Sequence, residues 1–365
     1  MSAGAGVLRR VITESPVLAS LSGQTWALTV AAVTLTALWV RGIISSRRRV
    51  SIKGRRVVIT GCDSGFGLGT VAELAKLGAE VIALCYTAEG CDKAVQAGAK
   101  HALRVDLSKE AEVAAACGQI KKLAEGDLFA LVHNAGTVTA GMIDFQPLSN
   151  YRRCLEVNFF AVVHLTQQFL PLMKDKTADG AKKRVVIVSS VDGIVSLPAN
   201  APYDASKFAV EAYADALRTE QSFWNISVSV VNPATMRTPL ALGFFESEKT
   251  TWRQMSSQDS TSSEPPRWKE EWPEDWLEQH TKINGEGLQQ IAQDPAIVIA
   301  DLMHAVTAEE PKFRYLSGTF AKTLFYFLWV APESMAFAIK RATINPPPRV
   351  RSPPADQPHP APGTR

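Results

Sequence analysis

The sequence has no pair of cysteines at a metal-binding spacing. Its five cysteines, Cys62, Cys85, Cys91, Cys117 and Cys154, are scattered and odd in number. That argues against a disulfide framework and points to reduced thiols. Nor does any cluster of His and Cys offer zinc a ligand set, so no metal is expected. A surplus of one charge sign is missing as well. The formal net charge is +3, which leaves nucleic acid without a case as the main partner. Charge is absent altogether between Glu14 and Arg41. What remains is a chain of 365 residues, 46% of them hydrophobic, enough for a sizeable buried core.

The uncharged stretch is the first positive feature. Residues 16–40 exceed the roughly 20 apolar residues that span a bilayer as a helix. Trp26 and Trp39 stand where interfacial aromatics would sit. Arg41, Arg47, Arg48 and Arg49 follow directly, and the heavier positive flank leaves the main domain in the cytosol. The expectation is a transmembrane anchor and basic linker over 1–52, with the endoplasmic reticulum as address. A cleaved signal peptide and a mitochondrial presequence are the alternatives.

From Arg55 onward, short apolar runs alternate with helical stretches. The runs are Val57–Thr60, Glu80–Cys85, Ala102–Asp106, Leu128–His133, Arg184–Ser190, Ile226–Val231 and Lys312–Leu316. Such alternation predicts an α/β fold: one doubly wound, Rossmann-like domain with a parallel sheet covered on both faces, over 53–345. Two segments break the rhythm. Glu246 to Glu278 is polar and carries Trp252, Trp268, Trp272 and Trp276; it is read as a substrate lid over about 241–282 or as surface helices with tryptophan anchors. The tail 346–365 is proline-rich and expected to be disordered. The apolar run Thr323–Pro332 is too short to span a membrane; a buried core helix is the default, an aromatic surface dipping into a bilayer the alternative.

Thr60-Gly-Cys-Asp-Ser-Gly-Phe-Gly67 lies between the first strand and the first helix. Glycines there let a backbone approach a phosphate closely, and the helix start offers free N–H groups. Gly61, Ser64, Gly65, Phe66 and Gly67 are therefore candidates for holding a dinucleotide. The second strand ends in Cys85-Tyr-Thr87, with neither the acid that would bind ribose hydroxyls nor a base for a 2′-phosphate. The glycine loop also lacks Lys and Arg, which favours NAD over NADP. Asp106, ending the third strand, and Leu107 after it are candidates for the adenine edge; Asp106 as a helix N-cap is the bland alternative, and both can hold.

Tyr203-Asp-Ala-Ser-Lys207 puts a phenol and an ammonium four residues apart, on one face of a helix. A nearby cation is expected to lower the tyrosine pKa toward neutrality, as a general acid/base requires. Ser190 precedes this pair at the end of a strand, where its hydroxyl can stabilise charge on a substrate oxygen.

With these residues together, the chain resembles the short-chain dehydrogenase/reductase family, in its retinol, hydroxysteroid and 3-hydroxybutyrate dehydrogenase branch. The match covers about 54–320. It includes the loop Thr60–Gly67, Asn134-Ala135-Gly136, Asn158, Ser190, Tyr203, Lys207, and Pro233-Ala234 with Thr238. The resemblance implies that Tyr203 transfers the proton. It implies that Lys207 assists Tyr203 and binds the nicotinamide ribose, and that Ser190 positions the substrate oxygen. Asn158 would organise a relay water, Asn134, Ala135 and Gly136 would line the cofactor, and Thr238 would touch the carboxamide. It also implies a homodimer through the helices that include Asn150–Met173 and Phe208–Glu220. His133 stands where the family usually has asparagine and is read as a neutral donor to a backbone carbonyl; Ala234 replaces a usual glycine.

The expected activity is NAD-linked interconversion of a lipophilic secondary or allylic alcohol, retinoid or steroid-like, and its carbonyl. A 3-hydroxybutyrate-type dehydrogenase, with Arg237 as the cation for the acid, is the second reading. A non-catalytic dinucleotide-binding protein is the third.

Overall fold

The computed structural model describes residues 28–34, 36, 48–174, 180–258 and 266–344. Most of the expected anchor and all of the tail 346–365 lie outside them. Among the described residues, no helix is long and apolar enough to cross a membrane. The chain divides into two units, 1–50 with Ala308–Glu310, and 51–307 with 311–365. In the first, residues 28–34 are helical and Arg49 bridges Ala308. The second carries everything that follows.

Its centre is a seven-stranded sheet ordered β3-β2-β1-β4-β5-β6-β7. The strands are β1 Arg56–Thr60, β2 Glu80–Cys85, β3 His101–Arg104, β4 Ala130–His133, β5 Lys183–Val188, β6 Ile226–Pro233 and β7 Arg314–Ser317. Every pairing is parallel. Buried parallel strands read as continuous apolar runs because both faces are covered, and each of the seven runs found in the sequence overlaps one strand. Boundaries moved by a few residues. β3 stops at Arg104, which leaves Val105 and Asp106 beyond the ladder. β5 stops at Val188, so Ser190 belongs to the turn that follows.

The helices that build the site are α1 Gly65–Lys76, α2 Ala88–Gln96, α3 Glu110–Leu123, α4 Leu148–Leu155, α5 Ala161–Met173 and α6 Ala201–Gln221. One face of the sheet packs on α5 and α6 through Leu165, Phe169, Val210 and Leu217. Between α4 and α5 one turn, Glu156–Phe160, widens to π geometry; such turns recur at functional sites. Helix α6 starts well before Phe208, with Pro202 in its first turn, where a missing N–H costs nothing. Tyr203 and Lys207 therefore sit in the opening turns of a 21-residue helix.

After β6 come α7 Pro239–Leu242, α8 Phe244–Gln258, α9 Arg267–Glu271 and α10 Glu274–Ile291. The four tryptophans of this region pack together. Trp252 and Trp276 are buried with Leu277, Met142 and Phe145, and Trp268 and Trp272 lie against them. The Trp252 indole donates to the Trp272 carbonyl at 2.9 Å, and the Trp272 indole donates to Asp144 at 3.1 Å. Helix α11 Ala296–Thr307 then packs on α1 and leads into β7.

The run after β7 corrects the buried-helix expectation. It forms a π turn, Ala321–Phe325, then α12 Tyr326–Val330, and α13 Glu333–Ala342 follows. Ala321 and Leu328 face inward, whereas Leu324, Tyr326, Phe327, Trp329 and Val330 are all exposed. Ten residues in two short turns have too little inward face to bury every apolar side chain.

Candidate active site

The carboxyl ends of β1, β2, β4, β5 and β6 open onto one cavity of about 1410 Å³. Ligands bind at this edge of open α/β sheets, where the strand order reverses. Every residue named above for the reaction or for the dinucleotide lines it, except Gly67, Asn158 and Arg237.

The glycine loop is built for close approach. Gly61 and Gly65 have φ of +71° and +57°, a region that disfavours a Cβ. A Cβ on Gly61 would stand 2.7 Å from the Ala135 Cα, and one on Gly67 2.1 Å from the Gly61 carbonyl oxygen. Asn134 binds the loop from β4: its side-chain amide donates to the carbonyls of Thr60 and Gly61, each at 2.9 Å. The Thr60 hydroxyl accepts from the backbone N–H groups of Asn134 and Ala135 at 3.0 and 2.9 Å. Ser64 precedes α1 without capping it through its side chain, so the first N–H groups of that helix remain available to an anion. The loop therefore fits the pyrophosphate of a dinucleotide. Gly67 and Asn134 shape the loop from behind.

Asp63 had no role in the sequence reading. Its carboxylate reaches the end of β2, accepting from the N–H groups of Tyr86 and Thr87 at 2.8 and 2.9 Å and from the Thr87 hydroxyl at 2.8 Å. The acid missing from the β2 terminus is thus delivered by the glycine loop, and it lines the cavity. The signal was an acid inside a phosphate-type loop, where a negative charge needs a separate reason. Asp106 is not a helix cap. It folds back on Ser108, whose N–H and hydroxyl it accepts at 3.0 and 2.7 Å, while Lys109 occupies the N-cap of α3.

Tyr203, Lys207, Ser190 and Asn158 converge where β4, β5 and α6 meet. The Lys207 ammonium donates to the Val188 carbonyl at 2.9 Å and lies 5.5 Å from the centre of the Tyr203 ring. Asn158 is fixed at both ends of its amide: it accepts from Thr137 N–H at 2.8 Å and donates to the Thr137 carbonyl and the Ser206 hydroxyl, each at 2.9 Å. A Cβ on Gly136 would stand 3.5 Å from Asn158 Oδ1 and 3.7 Å from Lys207 Nζ, so glycine leaves a gap between them. Ser190 accepts from Asp192 N–H at 3.1 Å and donates to Asp192 Oδ2 at 3.2 Å.

The expected lowering of the tyrosine pKa is not found. Burial pushes the Tyr203 phenol up, and the Asp192 carboxylate adds to the push. Lys207 is itself held down at about 8 by burial and its ammonium is committed to Val188. Desolvation outweighs a cation at this distance. Asp192 is raised to about 6 and Asp204 to about 9, chiefly by burial.

Of three further residues, two, His133 and Arg237, differ from their expected roles. His133 is buried and bonds the Thr166 hydroxyl at 2.9 Å through Nε2, not a backbone carbonyl; burial lowers it to about 3. The Thr238 hydroxyl caps α7 by accepting from Ala241 N–H at 3.4 Å, and Thr238 lines the cavity. Arg237 is not among the cavity-lining residues, and its guanidinium donates to the Ala292 carbonyl at 3.2 Å.

The far wall of the cavity comes from α8, α10, α12 and α13 and is largely apolar, with Phe244, Phe245, Ile283, Leu288, Phe325 and Leu328. Its polar exceptions include His280 and Asn284. Behind His280, whose ring stacks on Trp276 at 4.6 Å, the Glu248 carboxyl is fully buried and has no hydrogen-bond partner among the described residues. Burial raises Glu248 to about 8 and lowers His280 to about 4, and the two approach to 3.8 Å.

The comparisons agree with this geometry. The short chain dehydrogenase family profile matches residues 55–249. Retinol dehydrogenase 7 of Mus musculus is 32% identical over 300 residues, 80% of this chain and 90% of the relative. The 17-beta-hydroxysteroid dehydrogenase type 6 of Bos taurus is 30% identical over 291 residues, 78% and 87% of the two chains. Among solved structures, a short-chain dehydrogenase from Streptomyces avermitilis shares the fold at TM-score 0.60 and 22% identity, covering 80% of this chain and 98% of its own. One from Burkholderia phymatum in complex with NAD matches at TM-score 0.59 and 22% identity, covering 81% and 99%. Sequence motifs, sheet order and relatives meet in one assignment: the chain belongs to the short-chain dehydrogenase family of oxidoreductases, in the branch that holds the retinol and 17-beta-hydroxysteroid dehydrogenases.

Proposed function

We propose that the protein is an NAD-dependent dehydrogenase that interconverts a lipophilic secondary or allylic alcohol, retinoid or steroid-like, with its carbonyl. The carrying observation is a single cavity with a phosphate-fitting loop at one end, an apolar wall at the other, and Tyr203, Ser190 and Lys207 between them. Gly61, Ser64, Gly65 and Phe66 would hold the pyrophosphate, with Asn134 bracing the loop. Asp63 and Glu89 line the adenosine end, where the Lys93 ammonium is already paired with Glu89 at 2.7 Å. An uncompensated acid there repels a 2′-phosphate, which supports NAD over NADP. A bound nicotinamide would supply or accept the hydride.

The chain's own residues handle the proton. Tyr203, protonated by virtue of its burial, donates to the oxygen of a carbonyl being reduced and takes the proton back in the reverse direction. Ser190 faces the same oxygen and, when its hydroxyl proton points there, stabilises its developing charge. The gap beside Gly136 suits a water, held between Asn158 and Lys207, that returns protons to the site.

The exposed aromatics of α12 flank the apolar wall, which supports delivery of substrate from a membrane surface. The hydroxy-acid reading loses the cation expected for it, since Arg237 does not line the cavity, although Lys340 of α13 does. The test is a panel of retinol, steroid alcohols and 3-hydroxybutyrate with NAD and NADP, on wild type and Tyr203→Phe. Turnover of a lipophilic alcohol should fall by about 100- to 10,000-fold in the variant. Equal turnover in both proteins, or preference for 3-hydroxybutyrate, would reject the proposal.

A further inference from the structure

Asp192 touches the reacting machinery and has no part in the mechanism above. It lines the cavity, two residues after Ser190, in the short turn Val191–Gly193. A hydroxyl has one proton to give and two positions at which to accept. In Ser190 one accepting position is filled by the Asp192 N–H at 3.1 Å, and the proton goes to Asp192 Oδ2 at 3.2 Å. What Ser190 has left for anything facing it, Tyr203 or a ligand, is a lone pair. The same Oδ2 takes a second bond from the Asn200 side-chain amide at 3.2 Å, which keeps the carboxylate turned toward Ser190. Asp192 Oδ1 is buried without a partner among the described residues.

We propose that Asp192 is a positioning residue that decides whether Ser190 accepts or donates toward the substrate oxygen, and so whether the site prefers an alcohol or a carbonyl ligand. This rests on the reading that Ser190 faces that oxygen. With Asp192 ionised, Ser190 offers a lone pair. An alcohol can donate to it, whereas a carbonyl, which only accepts, finds no donor there. With Asp192 protonated, the Ser190 proton is released and can point at a carbonyl oxygen.

The charged and titratable groups around Asp192 come from several elements. Tyr203, Asp204 and Lys207 approach from α6. Lys340 of α13 acts on Asp204, and Cys154 of α4 acts on Tyr203. Of these groups only Asp192 bonds Ser190 through a carboxylate. Burial raises Asp192 against the opposing pull of its bonds from Ser190 and Asn200 and of the Lys207 charge, to about 6. The preference is therefore for the carbonyl below that pH and for the alcohol above it.

The experiment measures dissociation constants of two unreactive ternary complexes of the full-length protein: cyclododecanol with NADH, and cyclododecanone with NAD. The two probes share one apolar body and differ only at the oxygen. From pH 5 to pH 8 the alcohol-over-ketone preference of wild type should rise about tenfold, the worth of one hydrogen bond. Asp192→Asn should make the preference independent of pH, because an amide does not titrate; Asp192→Ser serves the same comparison if the amide variant fails to bind NADH. A flat preference in wild type, or an undiminished pH dependence in the variants, overturns the role of Asp192 while leaving Tyr203-dependent turnover standing. Failure of both probes to bind wild type overturns the lipophilic-substrate reading and this inference with it.

Discussion

The two ends of the cavity are held by different forces. At the dinucleotide end the chain is fixed by backbone contacts: glycines with no room for a Cβ, an asparagine gripping two carbonyls, a threonine hydroxyl taking two N–H groups. At the substrate end it is fixed by packed aromatic side chains, Trp252, Trp268, Trp272 and Trp276 against Phe145, with Glu248 and His280 buried beside them. The first arrangement tolerates almost no substitution because its atoms are in contact at the backbone. The second depends on summed volume, which several sequences can supply. One end can therefore stay fixed while the other is rewritten for a new substrate.

The largest effect should come from the backbone end. Gly67→Ala places a Cβ 2.1 Å from the Gly61 carbonyl and 2.5 Å from the Asn134 amide. NADH affinity, read by fluorescence titration, should fall by at least about 100-fold, the scale of several kcal/mol of overpacking. The melting of the tryptophan cluster should change much less. Trp276→Ala is the converse: it should lower stability by about 3–5 kcal/mol in denaturant unfolding, with dinucleotide affinity retained in the folded fraction. If both variants lose both properties together, the two ends are not independent.

A smaller effect sharpens the comparison within the dinucleotide end. Asp63→Ala removes the acid at the β2 terminus, and the NAD-over-NADP ratio of kcat/KM should fall by about tenfold, one charge-assisted contact. The smallest concerns His133. Its folded-state pKa is lowered to about 3 by burial against about 6.5 in an unfolded chain. The stability tied to its neutral form is complete above pH 6.5 and is lost as pH falls toward 3, at about 1.4 kcal/mol per pH unit. His133→Asn should remove that slope from the pH dependence of unfolding.

The same contrast explains what could be read without coordinates. The sheet was legible because buried parallel strands leave unbroken apolar runs, and the glycine loop because its residue types answer to one local geometry. Tyr203, Lys207 and Ser190 could be named from their spacing and their place after a strand, and Asn158 from the family resemblance. What escaped reading depends on distant partners. Asp63 meets β2 across 23 residues of chain, and nothing local announces that contact. The tyrosine pKa depends on burial and on Asp192, both set by the assembled site. Thr323–Pro332 looked like core because apolar content does not reveal which side of a turn faces out.

That last segment has a practical consequence. Leu328 walls the cavity, while Phe327 and Trp329, its neighbours on either side, face away from the core. A deletion before Ala321 would remove lining and outer face in one stroke, so truncation cannot separate catalysis from whatever the outer face meets. Single exchanges can: Leu328→Ala alters the shape of the chamber, and Phe327→Ser alters what the molecule shows to its surroundings, whereas Trp329 also packs against Arg314 of β7.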